Sequence, residues 1–349
     1  MQTSNRIQAF SELGTYLKLF LQAYEQENPN ESQQKFNETL QIAKAKNSWF
    51  TIENQLFALE SWAKALTKNN LEKWVEPYDL EVEKVKIIGI VAAGNIPLVG
   101  FHDILTVLMS GNKVQVKLSS KDEVLIPYLM DLLFEIQPEF KNYYELVEKL
   151  ENYDAVIATG SDNTARYFES YFKHVPHLIR KNRTSVAILD GSETKEDLEA
   201  LAKDMLQYFG LGCRNVTKIY IPKNYDLDKI FNALFPWKDI IHHHKYANNY
   251  DYFSTIYLMK SIPILENGFV LFKQDDGLFS PISTILYEYY QDKGKVKELL
   301  AENESKIQCI ISNDEEHVGW GEAQQPQLWD YADNVDTLEW LSLLKIHSN

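Results

Sequence analysis

Residues 85–97 read VKIIGIVAAGNIP. The first seven are mostly β-branched and are bounded by small residues, which is typical of a strand buried on both faces of a parallel sheet. The other six are turn-forming residues, and two more strand-like segments follow, KVQVKL (113–118) and DAVIAT (154–159). Because helical segments separate the three strands, the sequence predicts a doubly wound α/β unit with right-handed crossovers.

A second series of the same kind begins near Ser185. Its predicted elements are strand 186–189, helix 195–208, the tight turn 210–213, strand 216–221, and later strands 280–287 and 306–311. A basic segment, Arg180 to Thr184, separates the two series and is the expected hinge. The second series therefore predicts a second α/β lobe.

Residues 1–75 have the pattern of helices. Apolar residues recur at three- and four-residue steps, at Ile7, Phe10, Leu13, Leu17, Leu21 and Tyr24. This spacing is one face of an amphipathic helix, and Asn28-Pro29-Asn30 is expected to end it. We interpret the region as a helical cap that packs over a sheet or a partner.

The composition is that of an ordinary globular protein, with 45% hydrophobic and 24% charged residues in 349. Acidic residues number 50 and basic residues 35, which gives a net charge of −15. Nucleic acids and anionic membranes require basic surfaces, so neither is expected as the main partner. A local basic pocket for phosphate remains compatible with this charge.

Three features predict a soluble, cytoplasmic protein. The two cysteines, Cys213 and Cys309, are far apart in sequence and make no disulfide framework. The N-terminal residues are polar and lack the pattern of a signal peptide. No segment approaches the roughly 18 apolar residues of a membrane-spanning helix.

Cys213 is the first candidate for chemistry, in the turn GLGCRN (210–215) between a helix and a strand. Glycines allow a backbone to approach a substrate closely, and an adjacent arginine or a helix end lowers the pKa of a thiol. A buried structural cysteine is the alternative, and the turn alone does not choose between them. Cys309 alternates with Ile307 and Ile311 along a strand, which predicts a core thiol.

Asn95 and the pair Gly160-Ser161 each follow a strand, at the edge where open α/β sheets bind ligands. One interpretation is that the Asn95 amide donates a hydrogen bond to an oxyanion. The alternative is that Asn95 only forms a turn. Gly160-Ser161, at a helix start, would hold a phosphate through backbone N–H groups, although such turns are common in this fold. No Gly-x-Gly-x-x-Gly or Gly-Lys-Ser/Thr motif is present, so an ordinary dinucleotide fold and a P-loop are disfavoured.

The run His242-His243-His244 invites a metal interpretation. Consecutive side chains point in different directions, however, and no flanking cysteine or spaced histidine completes a ligand set. A surface segment is therefore favoured, and no metal is expected.

Four segments, taken in order, resemble the aldehyde dehydrogenase superfamily. GIVAAGNIPLVG (89–100) resembles the asparagine-proline oxyanion turn of that superfamily, and GNKVQVKLSS (111–120) resembles its strand that ends in lysine and a hydroxyl residue. IATGSDNTARYF (157–168) resembles its helix start at Gly-Ser, and GLGCRN resembles its nucleophile loop. The match covers roughly residues 84–290. Within the superfamily, LYEYY (286–290), QLWDYADNVDTLEWL (327–341), the short chain and the helical front end resemble the LuxC-like acyl-CoA reductases.

The resemblance implies roles for particular residues. It makes Cys213 the nucleophile and Asn95 an oxyanion donor. The implied cofactor contacts are Lys117, Ser119 and Ser120 for the adenosine ribose, and Gly160 and Ser161 for the pyrophosphate.

Two departures from the family pattern bear on the chemistry. RKNRTS (180–185) replaces a Glu-Leu-Gly-Gly-Lys segment, and Arg180 lies about where oxidising members carry the glutamate that activates water. Without that base an acyl-enzyme is expected to survive for reduction; the alternative is that Arg180 is an exposed charge in a basic hinge. In DDGLFSP (275–281), Gly277 replaces a ribose-binding acid or the acid is shifted by one residue.

These features predict an aldehyde-dehydrogenase-like α/β fold with two doubly wound lobes and a helical N-terminal cap. Residues 1–182 would form the cap and the dinucleotide-binding lobe. Residues 183–320 would form the catalytic lobe with Cys213, and 321–349 a C-terminal segment that returns to the first lobe.

The predicted activity is NADPH-dependent reduction of an acyl-CoA thioester to an aldehyde through an acyl-cysteine, with coenzyme A as leaving group, in fatty acid metabolism. NADPH is favoured over NADH because hydroxyls and a lysine follow Lys117, with no acid until Asp122. The alternatives are another thioester- or acyl-phosphate-reducing relative, or a cysteine hydrolase that pairs Cys213 with a histidine such as His244. Acyl-CoA is the expected partner, with no nucleic acid and no membrane span; acyl chain length and a homo-oligomeric state stay open.

Overall fold

A computed structural model describes residues 1–26, 29–81 and 84–344 of the chain. The chain divides into two compact units, which we describe separately. The first comprises Met1–Lys181 together with the chain from Gln327 onward, and the second comprises Asn182–Pro326. No helix among the described residues is long and apolar enough to cross a membrane.

The helices and strands are numbered here in chain order. The helices are α1 (Thr3–Glu25), α2 (Glu31–Lys46), α3 (Ile52–Ala65), α4 (Lys68–Val75), α5 (Phe101–Met109), α6 (Leu125–Ile136), α7 (Asp162–Phe172), α8 (Lys195–Leu206), α9 (Asp228–Leu234), α10 (His244–Met259), α11 (Lys293–Glu302) and α12 (Thr337–Leu343). The strands are β1 (Ile87–Val91), β2 (Lys113–Lys117), β3 (Tyr144–Leu146), β4 (Ala155–Thr159), β5 (His177–Arg180), β6 (Thr184–Ile188), β7 (Val216–Pro222), β8 (Ile264–Glu266), β9 (Leu271–Gln274), β10 (Thr284–Tyr290) and β11 (Ile307–Ile311).

The first unit is built on a five-stranded parallel sheet in the order β3-β2-β1-β4-β5. Helices connect β1 to β2, β2 to β3 and β4 to β5, and the order reverses at β1, as in a doubly wound sheet. The central strand is apolar on both faces, and its Ile88 and Ile90 are fully buried. The predicted α/β unit is confirmed.

The N-terminal helices cover this unit, as predicted. The Arg6 guanidinium on α1 reaches into it and donates to the backbone oxygens of Met109 and Leu80. Phe36 on α2 stacks on Tyr128 of α6 with ring centroids 4.5 Å apart. α1 ends at Glu25, and Asn28, part of the predicted stop, lies outside the described residues.

The second unit has a six-stranded sheet in the order β11-β6-β7-β10-β9-β8. All pairs are parallel except β8 with β9, which is antiparallel. Its largest apolar cluster packs α8 and α9 against the sheet, with Leu201, Ile219 and Phe272 among the buried residues. The second predicted lobe is therefore also α/β.

Three predicted boundaries are wrong for a local reason. The helix expected over 195–208 ends at Leu206, because the backbone turns left-handed at Tyr208. The strand expected from 280 begins at Thr284, after Ser283 with φ 64°. The sequence also predicts a helix from about Asp122 to Ile136, but this helix begins at Leu125, whose N–H donates to the Asp122 carboxylate.

Candidate active site

Cys213 lies in the second unit, in the turn between α8 and β7. Tyr208, Phe209 and Gly210 lead into this turn with φ of 55°, 60° and 74°, a left-handed conformation that residues other than glycine rarely adopt. Tyr208 and Phe209 are buried, whereas Cys213 is exposed. The core thus fixes the backbone that presents the thiol to solvent, and the alternative of a buried structural cysteine does not hold for Cys213.

Asn215 is fully buried and holds this turn through hydrogen bonds of its side chain. Its Oδ1 accepts the Gly212 N–H at 2.8 Å, and its Nδ2 donates to the carbonyl oxygens of Asp204 (3.0 Å) and Gln207 (2.9 Å). Carbonyls at a helix C-terminus lack partners within the helix, so one amide satisfies the end of α8 and holds the turn. This role is not predicted from the sequence, where an asparagine two residues after the cysteine in a glycine-rich turn is the available signal.

Ser185, at the start of β6, holds the Cys213 turn from the other side. Its hydroxyl donates to the Cys213 carbonyl oxygen at 3.0 Å and lies 3.1 Å from the Cys309 sulfur. Its backbone N–H donates to the Asn215 carbonyl at 3.2 Å. Hydrogen bonds from the Ser185 hydroxyl and from the Asn215 side chain therefore hold the backbone on both sides of Cys213.

Cys309 is half-buried on β11 and packs against the main apolar cluster of the second unit. Burial raises the pKa of its thiol, although nearby Arg214 acts in the opposite direction. The predicted shared face holds for Ile311, which lies in the same cluster, but not for Ile307, because the pairing of β11 with β6 shifts register between Ile307 and Ile310. Ile307 and Ile311 consequently belong to different apolar clusters.

Asn95 is half-buried in the turn after β1, in the first unit. A Cβ on the neighbouring Gly94 would lie 2.7 Å from the Ser119 side chain, so only glycine permits this close approach. Leu98, with φ 61°, donates its backbone N–H to the Asp122 carboxylate at 2.8 Å. The Asn95 turn and the turn after β2 are therefore packed and bonded together.

Asp122 is 2% exposed and serves this internal contact. Burial raises its pKa to about 7, although hydrogen bonds from the Leu98 and Leu125 N–H groups oppose the rise. It is the first acid after Lys117 in sequence, and its carboxylate faces the protein interior.

The residues with implied cofactor contacts share one edge of the first sheet. β1 aligns Val91 with Lys117 of β2 and with Ala158 of β4, so the turns after these strands end at the same level. Lys117 and Ser120 are exposed, and Ser119 is half-buried with its Oγ accepting the Lys121 N–H at 3.3 Å.

Gly160 and Ser161 lie at the start of α7, as predicted. Ser161 is the N-cap of α7, and its Oγ accepts the Thr164 N–H at 3.4 Å. The Gly160 N–H, however, donates to the Arg180 carbonyl at 3.1 Å. A phosphate at this position would therefore contact the α7 N-terminus beyond Gly160 rather than the Gly160 N–H.

Arg180 is buried in the first unit, so the expectation of an exposed hinge charge is wrong. Its Nη2 lies 2.8 Å from Asp103 Oδ1 on α5 and donates to the Thr337 hydroxyl of α12 at 3.0 Å. Its residue exposure is 6%. The guanidinium thus joins β5, α5 and the C-terminal segment, which is a structural role.

In the segment 275–281, glycine stands at position 277, where the family pattern has the acid that binds the nicotinamide ribose. The Asp275 carboxylate pairs with Lys273 and accepts the Gly277 N–H at 2.8 Å. These contacts hold the pKa of Asp275 below its usual value, the Lys273 hydrogen bond having the largest effect. Asp276 is exposed and is the acid available at this turn.

The histidine run is divided between two environments. His242 and His244 are exposed, whereas the His243 ring packs on Phe209 with centroids 4.4 Å apart. Among the described residues, no three His, Cys, Asp or Glu side chains form a group that would hold a metal ion.

The fold is that of the aldehyde dehydrogenases. Among similar solved structures are aldehyde dehydrogenase 21 from Physcomitrella patens (TM-score 0.60, 13% identity, 90% of this chain and 74% of that one) and an aldehyde dehydrogenase from Bacillus cereus (0.62, 12%, 90% and 73%). Indole-3-acetaldehyde dehydrogenase AldA of P. syringae matches with a TM-score of 0.61 at 12% identity over 84% of this chain and 69% of that one. A comparison with curated protein sequences gives no match.

A protein-family comparison identifies a narrower class of protein than the fold does. Residues 54–233 match the family described as acyl-CoA reductase (LuxC). The chain belongs to this LuxC acyl-CoA reductase family and is an oxidoreductase. The family therefore does not support the cysteine hydrolase that the sequence left open.

Proposed function

We propose that the protein reduces an acyl-CoA thioester to an aldehyde with NADPH, through an acyl-enzyme on Cys213. The observation that carries this proposal is the contrast between its two thiols. Cys213 is exposed on a turn fixed by Asn215 and Ser185, while Cys309 is half-buried with a raised pKa. A thiolate is the nucleophile in such chemistry, so exposure and a fixed backbone favour Cys213.

The first half-reaction forms the acyl-enzyme. The Cys213 thiolate attacks the thioester carbonyl carbon, and the oxyanion accepts hydrogen bonds from the Cys213 N–H and the Asn95 amide. The carbon–sulfur bond to coenzyme A then breaks, and the departing thiolate takes a proton from solvent. Ser185 and Asn215 hold the Cys213 peptide in place throughout.

The second half-reaction reduces the acyl group. The bound nicotinamide cofactor supplies a hydride. Cys213 then holds the acyl carbon as a hemithioacetal anion, whose charge the same two donors stabilise. Collapse of this anion expels the Cys213 thiolate and releases the aldehyde. The resemblance puts Arg180, which pairs with Asp103, about where oxidising members carry the glutamate that activates water, so aldehyde rather than free acid is the expected product.

The residues at the edge of the first sheet fit a phosphorylated dinucleotide. Lys117, Ser119 and Ser120 would hold the adenosine ribose and its 2′-phosphate, and the α7 N-terminus at Ser161 would hold the pyrophosphate. NADPH is favoured because Asp122, the first acid after Lys117, is turned inward to Leu98. The relative from Bacillus cereus was solved with NAD⁺.

Two measurements test this function. The protein is incubated with acyl-CoAs of increasing chain length without cofactor, and mass spectrometry locates the acyl group. NADPH oxidation and aldehyde release are then followed for each substrate. An adduct on Cys213 that yields aldehyde on addition of NADPH is expected; rapid release of free acid without cofactor would overturn the proposal.

A further inference from the structure

A pocket of about 370 Å³ opens in the second unit beside the segment 276–279. Its apolar lining includes Leu278, Phe279 and Leu299, of which Phe279 and Leu299 are 47% and 36% exposed and so stand at its mouth. The polar lining includes the Asp276 carboxylate, the Asn303 amide and the Lys306 ammonium. Sites for small molecules have this size and this mixture of apolar surface with a few polar groups.

The pocket lining includes a buried tyrosine. Tyr220 of β7 lines the pocket and is 1% exposed. Among the described residues, no group hydrogen-bonds its hydroxyl. Buried hydroxyls in folded proteins are nearly always hydrogen-bonded, and an exception points to a missing water or ligand.

The pocket is connected to the Cys213 turn by a short series of hydrogen bonds. The Thr217 hydroxyl donates to the carbonyl oxygen of Leu278, in the pocket wall, at 2.8 Å. Thr217 also pairs with the hydroxyl of Thr184. The next residue, Ser185, donates to the Cys213 carbonyl. The pocket wall and the nucleophile turn are therefore parts of one bonded region.

We propose that this pocket receives the pantetheine arm of the acyl-CoA substrate, an inference that rests on the proposed function. Pantetheine is a narrow chain in which amide and hydroxyl groups alternate with methylene and methyl groups, so it needs both apolar walls and isolated polar partners. The Tyr220 hydroxyl supplies a hydrogen bond to an amide, and Leu278 and Leu299 contact the apolar groups; the Asn303 amide already bonds the Leu299 carbonyl and the Lys306 ammonium. Lys306 at the mouth attracts the phosphates that follow the arm.

The first test removes the buried hydroxyl in the Tyr220→Phe variant. Initial rates are measured with an acyl-CoA and with the same acyl group on N-acetylcysteamine, a truncated thioester that lacks most of the arm. We expect KM for acyl-CoA to rise about threefold to tenfold, the effect of one neutral hydrogen bond, and the truncated substrate to be unaffected. Tyr250→Phe is the matched control, because the Tyr250 hydroxyl bonds Glu266 instead.

Stability separates a lost contact from a damaged fold. Tyr220→Phe removes a buried hydroxyl that lacks a protein partner, so the melting temperature of the substrate-free protein should stay the same or rise. A fall in melting temperature would show that the hydroxyl stabilises the fold, and would overturn the inference.

The second test fills the pocket with Leu299→Trp and compares it with Leu265→Trp, an exposed leucine on β8. Leu299→Trp should lower kcat/KM at least about tenfold for acyl-CoA and leave the truncated thioester unchanged. Equal losses for both thioesters, no loss, or an effect on KM for NADPH alone would overturn the inference. If the unmodified protein fails to acylate Cys213 with either thioester, the proposed function itself has failed.

Discussion

The side-chain oxygen of Asn215 accepts the backbone N–H of Gly212 at 2.8 Å, across the turn that contains Cys213. The amide nitrogen of the same side chain is fixed by carbonyls at the end of α8. One buried side chain thereby ties the nucleophile turn to a helix, and glycines alone would leave that turn free to move.

Replacing Asn215 should slow acylation more than it weakens substrate binding. In Asn215→Ala the Gly212 N–H and the carbonyls at the end of α8 lose their hydrogen bonds to this side chain, so we expect kcat to fall by up to about 10²-fold through misplacement of the thiol. Asn215→Asp keeps the shape but cannot donate, and should also be impaired. Asn249→Ala is the control, since the Asn249 side chain donates to the Lys245 carbonyl within α10. A rise in KM with kcat unchanged would contradict this role.

The two thiols should differ in reactivity. Burial raises the pKa of Cys309, whereas Cys213 is exposed, so iodoacetamide at neutral pH should modify Cys213 first. Cys213→Ala should abolish acyl-enzyme formation and reduction, and Cys309→Ala should leave both largely intact. Peptide mapping after short alkylation checks the order. An active Cys213→Ala protein would exclude the proposed mechanism.

Arg180 should matter for stability and not for the fate of the acyl-enzyme. Arg180→Met leaves the buried Asp103 carboxylate without its partner, which costs about 3–5 kcal/mol in the free energy of unfolding. Urea denaturation measures this loss. Lys181→Met, which removes an exposed pair with Glu169, should leave the free energy of unfolding nearly unchanged.

The double variant Arg180→Met with Asp103→Leu should recover much of the loss, because no unpaired charge remains. Arg180→Glu would place a carboxylate beside Asp103 and should destabilise the protein without creating hydrolysis. Efficient release of free acid by a folded Arg180→Glu protein would instead favour the idea that Arg180 occupies the position of a water-activating base.

Asp122 should make stability depend on pH. Its pKa is about 7 in the folded protein, above the value of about 4 in an unfolded chain. The folded state therefore binds the proton more tightly, and stability should fall as pH rises from about 4 to about 7. Asp122→Asn should flatten this dependence in melting experiments. Burial also raises the pKa of Asp204 to about 7, so part of the change of stability with pH will remain in the variant. If Asp122→Asn leaves the dependence of stability on pH unchanged, the prediction is contradicted.

Lys117 should select the phosphorylated cofactor. Loss of a charge-assisted contact to a 2′-phosphate in Lys117→Gln should lower kcat/KM for NADPH about 10- to 100-fold, with little effect on NADH. Lys113→Gln, at the other end of β2 and equally exposed, serves as the control. A native preference for NADH would count against this interpretation of the turn.

Much of the fold follows from local patterns. Apolar β-rich segments such as 85–91 and 154–159 were correctly predicted as buried strands, because burial on both faces of a parallel sheet leaves an unmistakable run of apolar residues. The glycine-flanked Cys213 turn and the Ser161 helix start were also located from sequence. The short strands β3, β5, β8 and β9, by contrast, were missed, since three or four residues carry too little periodicity.

The sequence by itself determined the order of elements, the fold class and the position of the two thiols, because these depend on residues close together in the chain. Only the tertiary structure decided that Arg180 pairs with Asp103, that Asp122 turns inward to Leu98, and that Ser185 lies between the two cysteines. Each of these contacts joins residues distant in sequence. Their geometry depends on strand register and helix packing, and these are fixed when the whole core assembles and not by any local pattern.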